Sequence, residues 1–442
     1  MSTNKPMTPT SRPDFAGFNF TRAMKPASDG TGILEGYRTR AWEAFEHLPY
    51  PTTRDEPWRR TDIRGLDGSV SLPGDAASAG LPPVPGALLT PLAGDQPAGQ
   101  ITLLPGGIEK SLNPEIARIG VIFTDIETAA REHPDLLAKA LGQIVKPEDG
   151  KFAALTGALA KNGIFAYVPR GVQVEQPLHS VMWAAGAGLA HFSHLIIWVE
   201  DGASLTYVHE ASSPYDDRQT LHSGILEIHV GAGASLRFVE LQSLGRGVWN
   251  FAHERARVQR DGNLDWIFGA IGSRLTKNFS DLDLVGRGAT GRMSGFYFAD
   301  GSQHLDHDTQ QNHLAEHTTS DLLFKGALKG HSHSVWQGMI HVAPGAQQAD
   351  GYQSNRNLLL SDNAHADSIP GLEILADDVR CTHGATVGKI DPDLLFYLRT
   401  RGIPLEEAER VVVEGFFADI MRRIPFEGVR DRFRKAIEAK MG

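Results

Sequence analysis

Apolar and polar positions along the chain follow two different periods, and the switches between them divide the sequence. In the first third, apolar residues recur at helical spacing. In "EGYRTRAWEAFEHLP" (35–49), Tyr37, Ala41, Ala44 and Phe45 fall on one face and Pro49 ends the run, which predicts a helix. The spacing predicts further helices over 125–145, interrupted at Pro134, and over 149–163, with Gly163 as C-cap. Residues 50–67 are polar and broken by prolines, and 68–100 are dense in Gly, Pro and Ala and read as a long loop. Residues 1–30, rich in Pro, Ser, Thr and Asn, are expected to be frayed.

From residue 164 helical spacing gives way, for some 220 residues, to short β-rich runs separated by Gly, Asp, Asn or Ser: "IFAYVP", "HLIIWVE", "SLTYVHE", "GILEIHV", "SLRFVEL" and others. The runs repeat weakly. "VEDGASLTYVHE" (199–210) aligns with "VGAGASLRFVEL" (230–241), and later stretches follow the same strand–turn–strand order. Taken at Gly202, Gly233, Gly262, Gly288, Gly330, Asn363 and Gly384, the turns lie 31, 29, 26, 42, 33 and 21 residues apart. A single strand–turn unit cannot bury its own apolar face, so such units must stack. Short strands repeating at such intervals predict a β-solenoid, with a β-sandwich or jelly roll as the alternative.

After Gly388 the helical period returns, over 391–402 with Asp391 as N-cap, over 404–424, and over 427–442. This gives three regions: 1–163 helical with Pro/Gly-rich loops, 164–388 β, and 389–442 helical. In the second C-terminal helix Ala408, Val412, Phe416 and Ile420 form a stripe that Val411, Val413, Phe417 and Met421 widen past one face. So much apolar surface calls either for deep burial or for a partner, and Val412, Phe416, Phe417 and Ile420 are the candidate partner-binding residues.

Charge and cysteine content narrow the function. The net charge is −10 with 43 basic and 53 acidic residues, the opposite of the basic stripe a nucleic-acid binder needs. One cysteine excludes an internal disulfide framework and any self-contained cysteine metal site. No apolar segment of signal-peptide or membrane-span length occurs, so a cytoplasmic location away from membranes is expected. "GRGATG" (286–291) matches a dinucleotide fingerprint by letter, but the strand-like "RMSGFYF" follows where a helix N-terminus would have to meet the pyrophosphate. Neither a phosphate-binding P-loop nor a nucleophile elbow is present.

Two groups of residues could carry chemistry. In "DVRCTHGAT" (378–386), Cys381 and His383 share a face if the segment is a strand. A thiolate and an imidazole can hold one metal together. The alternative is an inert buried thiol beside an unrelated histidine. With no second cysteine, a soft-ligand site here could be completed only by another chain. The second group is His304, His307, His313 and His317 with Asp306 and Asp308, followed by His331 and His333. These residue types suit zinc or iron, but a polar solenoid face, with imidazoles bonded to neighbouring turns, is the reading preferred from the residues alone.

The block "YQSNRNLLLSDNAHADSIPGLEILADDVRCTHGATVGKIDPDLLFYLRTRGI" (352–403) resembles the SufB/SufD family, the scaffold proteins of the SUF iron–sulfur cluster assembly system. "HTTSDLLFKGAL" (317–328) and "NGIFAYVPRGVQVEQPLH" (162–179) extend the likeness, and "PTTRDEPWRRTD" (51–62) resembles the N-terminal signature of the SufD branch. Two further positions favour that branch: Ala364 stands where SufB-like proteins have a cysteine, and "THGAT" stands where they read "EHEAT". The resemblance implies a right-handed parallel β-helix flanked by helical regions. It implies a non-catalytic subunit that pairs with a SufB-like paralogue and a SufC-like ATPase docked at the C-terminal helices, and a possible homodimer when alone. No cofactor is expected to bind the isolated chain tightly. In the complex, iron or a transient iron–sulfur cluster would form at the paralogue interface, with Cys381 and His383 as candidate ligands. Without the resemblance, a β-helix enzyme acting on polysaccharide and a stand-alone histidine-rich metal-binding protein are the alternatives.

Overall fold

The computed structural model describes residues 13–27, 32–75, 77–90, 92–93, 96–214 and 217–441. Of the stretch 1–30, expected to be frayed, residues 13–27 are described and pack onto the core through Phe15, Phe18 and Phe20, and the remainder lies outside the described residues. Among the described residues the strands form one sheet of ten and one of nine, and the chain alternates between the two. From the strand Leu178–Trp183 onward every pairing is parallel. A strand pairs with the next strand but one, as Trp249 with Leu275 and His333 with His365 show, so each rung is one circuit through both sheets. This is a parallel β-solenoid, and the sandwich alternative falls.

The alternation of side chains builds the interior. Inward positions stack in register into columns such as Ile197, Ile228, Ala256, Leu282 and Tyr207, Phe238, Trp266, all within one buried cluster. Each rung therefore buries the apolar face of the next, as parallel sheets covered on both sides require.

One corner of the solenoid repeats with a regular backbone signature. Gly171, Gly202, Gly233, Asp261, Gly288, His317 and Gln348 all have φ between 55° and 74°. The N–H of each of the first six donates to the residue just before the next in the series, and that of Gln348 to Asp378. The sequence reading placed the turns out of phase here. The left-handed residue of the third full turn is Asp261 and not Gly262, Gly330 and Asn363 belong to the opposite corner, and Gly384 lies inside the strand Arg380–Lys389. Mixing two corners and a strand produced the uneven spacing of the turns read from the sequence.

The sheets begin before residue 164. Gly99–Leu104, Gly107–Leu112 and Ile122–Asp125 start them, the last two through antiparallel pairings. The helix expected over 149–163 spans Lys151–Leu159, and Gly163 lies in the strand Asn162–Val168. A Cβ at Gly163 would sit 2.8 Å from the His194 carbonyl oxygen and 3.0 Å from Ile126, so this glycine serves close packing and not a helix cap. The helices Gly32–His47 and Lys151–Leu159 cover the outer face of the nine-stranded sheet through Trp42, Phe45, Phe152 and Leu155. The helices Leu405–Arg423 and Glu427–Met441 cover the outer face of the ten-stranded sheet. Between solenoid and these helices lies Pro392–Thr400, capped by the Asp391 side chain, which accepts a 2.9 Å hydrogen bond from the Asp393 N–H. No helix among the described residues is long and apolar enough to cross a membrane.

Candidate functional site: the open last rung

The last two strands, His365–Ile374 and Arg380–Lys389, are the outermost members of their sheets, each paired on one side only. Except for Ala366, their residues are half-buried or exposed, whereas the equivalent positions one rung earlier are mostly buried. Leu372, Ile374, Leu375 and Val387 are exposed here, so the solenoid ends in an uncapped apolar edge.

Cys381 and His383 sit on that edge. Cys381 is in register with Gly351 and His383 with Gln353, and both follow inward columns. Cys381 is half-buried against Ile340, Val342 and Ala349, and His383 is exposed. A Cβ at Gly351 would lie 3.2 Å from both Cys381 Sγ and His313 Nε2, so the thiol and this second imidazole share the space that the missing side chain leaves. His313 is held by hydrogen bonds of 2.8 Å with both Thr318 and Ser320. Burial pushes the Cys381 thiol up, with the Asp350 carboxylate adding to the effect, so at neutral pH this sulfur keeps its proton until a metal or a positive charge displaces it.

The structure divides the four candidate partner-binding residues. Phe417 and Ile420 are fully buried, packed with Val413, Phe433 and Ile437 over Phe296, Phe298 and Leu323. They cover the chain's own sheet and leave no surface for another molecule. Val412 and Phe416 are half-buried. The exposed apolar side chains of this region are instead Leu394, Phe396 and Tyr397 on the preceding helix, with Leu405 and Val411. The periodicity of 391–402 contained Leu394, Phe396 and Tyr397, but they stood in the shadow of the longer stripe, to which Val411 belongs.

The histidines of 304–333 do not form one cluster. His307 and His313 point into the solenoid and are buried, and burial holds them at pKa values of about 3 and about 4. His317 and His331 lie exposed at opposite corners. Only His304 and His333 come together, stacked in register on the outer face of the nine-stranded sheet, and His365 continues the column. Beside it the stretch resembling the SufD signature is laid across the same face. Trp58 packs on Phe152 and Phe251, and the Thr61 hydroxyl meets both His304 Nε2, at 2.8 Å, and the Asp306 carboxylate. Next in this face, the fully buried Lys277 donates to Asp306 (2.9 Å) and Asp308 (2.8 Å), a pairing that lets these charges leave water.

Inside the solenoid a cavity of about 40 Å³ is lined by His209, His222, Glu240, Glu254 and Asn278, among others. Burial raises both glutamates, and the neighbouring Glu254 carboxylate raises Glu240 further. The space suits a water or two and offers no room for a substrate.

The fold is a parallel solenoid whose uncapped final rung carries Cys381 and His383. Comparison with known proteins shows which family has this chain among its members. Residues 182–416 match the model of the SUF system FeS cluster assembly SufBD core domain, and 108–179 match that of the SufBD protein N-terminal region. The chain is 36% identical over 333 residues to the iron–sulfur cluster assembly protein SufD of Bacillus subtilis, covering 75% of this chain and 76% of that one. It is 32% identical over 320 residues to SufB of the same organism, covering 72% of this chain and 68% of that one. An iron–sulfur cluster assembly SufBD family protein of Staphylococcus epidermidis gives the same 32%, with the same two coverages. The chain belongs to the SufBD family, and its work lies in iron–sulfur cluster assembly.

Proposed function

We propose that this chain is a non-catalytic scaffold subunit of a SUF-type assembly complex. It pairs with a SufB-like paralogue at the open end of its solenoid and with a SufC-like ATPase at its C-terminal helices. Cys381 and His383 contribute part of the ligand shell of iron or of a nascent cluster. The observation that carries the reading is the uncapped last rung. A sheet edge with exposed backbone donors and acceptors and exposed Leu372, Ile374 and Val387 is an invitation to pair with another chain, and the one thiol of the protein lies on it. A single half-buried cysteine with a raised pKa is a weak metal ligand alone, and further anionic or soft donors from a partner would make it a strong one. The exposed Leu394, Phe396 and Tyr397 supply the docking face for the ATPase, a short helix presenting apolar anchors.

Co-expression with SufB-like and SufC-like chains tests the assembly: co-purification of the three is expected, and failure to retain either partner would sink the reading. In the complex, Cys381→Ala and His383→Ala should each lower iron and sulfide content while the fold, followed by circular dichroism, is unchanged. Undiminished iron and sulfide in both variants would remove these residues from the ligand shell.

A further inference from the structure

The outer-face histidine column ends in a second arrangement of ligand type. His333 and His365 are register partners on adjacent parallel strands, and Asp367 follows His365 on the same face of its strand. Asp367 lies 2.9 Å from His333 Nε2 through one oxygen and 3.3 Å from His365 Nε2 through the other. One donor atom from each of the three residues falls within 4.8 Å of the others.

From this geometry we infer that His333, His365 and Asp367 form an open binding site for a divalent first-row transition ion, separate from the site at Cys381. Two imidazoles and one carboxylate suit zinc, iron(II) or cobalt(II), and exclude a preference for calcium or magnesium, which favour oxygen donors. Metal–ligand bonds of about 2.0–2.2 Å at tetrahedral angles need donors roughly 3.3 Å apart. Both histidine–aspartate separations are near that but run to different oxygens of the carboxylate, so Asp367 must turn to present one oxygen or bind through both. The two imidazoles must also draw closer, and the His365 side chain, 67% exposed, has room to swing. The three donors leave at least one coordination position free for water or for handing the ion on, as exchanging sites do and closed structural sites do not. The surroundings bound the site on one side. His304, next in the column, has its Nε2 committed to Thr61, and the Arg60 guanidinium, 3.9 Å from Asp367, is a resident cation that an incoming ion must outcompete. Affinity is therefore moderate, in the micromolar range, and the ion exchangeable.

This inference stands apart from the proposed cluster role, because Cys381 lies near the other corner of the same rung, roughly 20–30 Å away at about 3.3 Å per strand residue. The full chain is titrated with Co(II), read by its visible absorption, and with Zn(II) by calorimetry. About one equivalent is expected to bind the chain carrying both Cys381→Ala and His383→Ala as it binds the unaltered chain. His365→Ala and Asp367→Asn should each weaken it by about tenfold or more without moving the thermal transition. Should Asp367→Asn fail to fold, His365→Ala decides alone, since its side chain is largely in solvent. No binding at up to 100 μM metal ion, a loss below tenfold in a folded variant, or loss of the bound equivalent in the Cys381/His383 variant would overturn the assignment.

Discussion

Where the helix Leu405–Arg423 spends its apolar face decides which residues a partner can touch, and one pair of substitutions measures it. The Phe417 side chain is fully buried. Its ring meets that of Phe433 edge-on at 4.9 Å and lies against Phe416 at 5.1 Å. Truncating a buried phenylalanine removes its transfer free energy and leaves a cavity, about 3–5 kcal/mol together. Of this, the edge-to-face contact with Phe433 accounts for about 0.5–1.5 kcal/mol. If the chain melts as one unit of its 442 residues, an unfolding entropy near 2.1 cal/mol/K per residue gives about 1 °C for each kcal/mol, so Phe417→Ala lowers the transition by about 3–5 °C. If the two C-terminal helices detach as a smaller unit, the same free energy appears as a larger shift of an earlier, separate transition. Phe396, 67% exposed, has no such packing to lose, and Phe396→Ala should change stability by less than about 0.5 kcal/mol while weakening capture of the proposed ATPase partner. Scanning calorimetry of both variants, with a pull-down of the partner, reads all of this. A Phe417→Ala chain that melts like the parent, or a Phe396→Ala chain that melts earlier than Phe417→Ala, would refute the assignment of inner and outer faces.

Gly233→Ala isolates the cost of the left-handed corner. Its φ is 63° and a Cβ would meet nothing within 4 Å, so the loss of about 1–2 kcal/mol in chemical denaturation is backbone strain alone, and an unchanged midpoint would show that the corner relaxes. His307→Phe tests the polar interior. Burial holds His307 near a pKa of about 3, below its ordinary 6.5, so on acidification the unfolded chain gains a proton that the native chain refuses. Stability is intact above pH 6.5 and is lost as pH falls toward 3, at up to about 1.4 kcal/mol per pH unit from this one residue. The variant should be about 1.6 kcal/mol less sensitive to a change from pH 6.5 to pH 5, read from urea midpoints at the two values. Identical slopes for parent and variant would refute it.

Much of the fold was legible because each rung repeats the same physical demand. Alternating apolar residues needed a sheet covered on both faces, and the repeat length follows from two strands and two corners per circuit. The phase of that repeat was not legible. Glycine marks the left-handed corner in only some rungs, and Asp261, His317 and Gln348 occupy it in others. These residues adopt positive φ at a cost that the ladder of corner hydrogen bonds offsets. Burial of Phe417 and Ile420 was hidden for another reason: a stripe shows that a helix face is covered, and only the tertiary arrangement says by what. His333, His365 and Asp367 illustrate the same limit. A whole circuit of the solenoid separates His333 from His365 along the chain, and register alone joins them. The local density of histidine over 304–333 pointed to the right region but to mostly the wrong partners.

The cysteine shows how a solenoid converts position along its axis into chemistry. The inward column to which it belongs runs Leu205, Leu236, Leu264, Gly291, Ser320, Gly351 and Cys381. Its first three members are packed apolar side chains, and its later ones dwindle to glycine and serine. In every rung but the last, a residue in this column is covered by the next. Gln353, the inward neighbour beneath His383, is fully buried, and a cysteine and histidine placed at 351 and 353 would be enclosed by the rung above them. At 381 and 383 there is no rung above. The same two side chains, on the same column and in the same conformation of strand, face out along the axis with their remaining surface open. What separates an enclosed thiol from one that another chain can reach is therefore a single rung, not the residues flanking it. Under the proposed function, the donors that complete the ligand set lie on the chain laid against that edge.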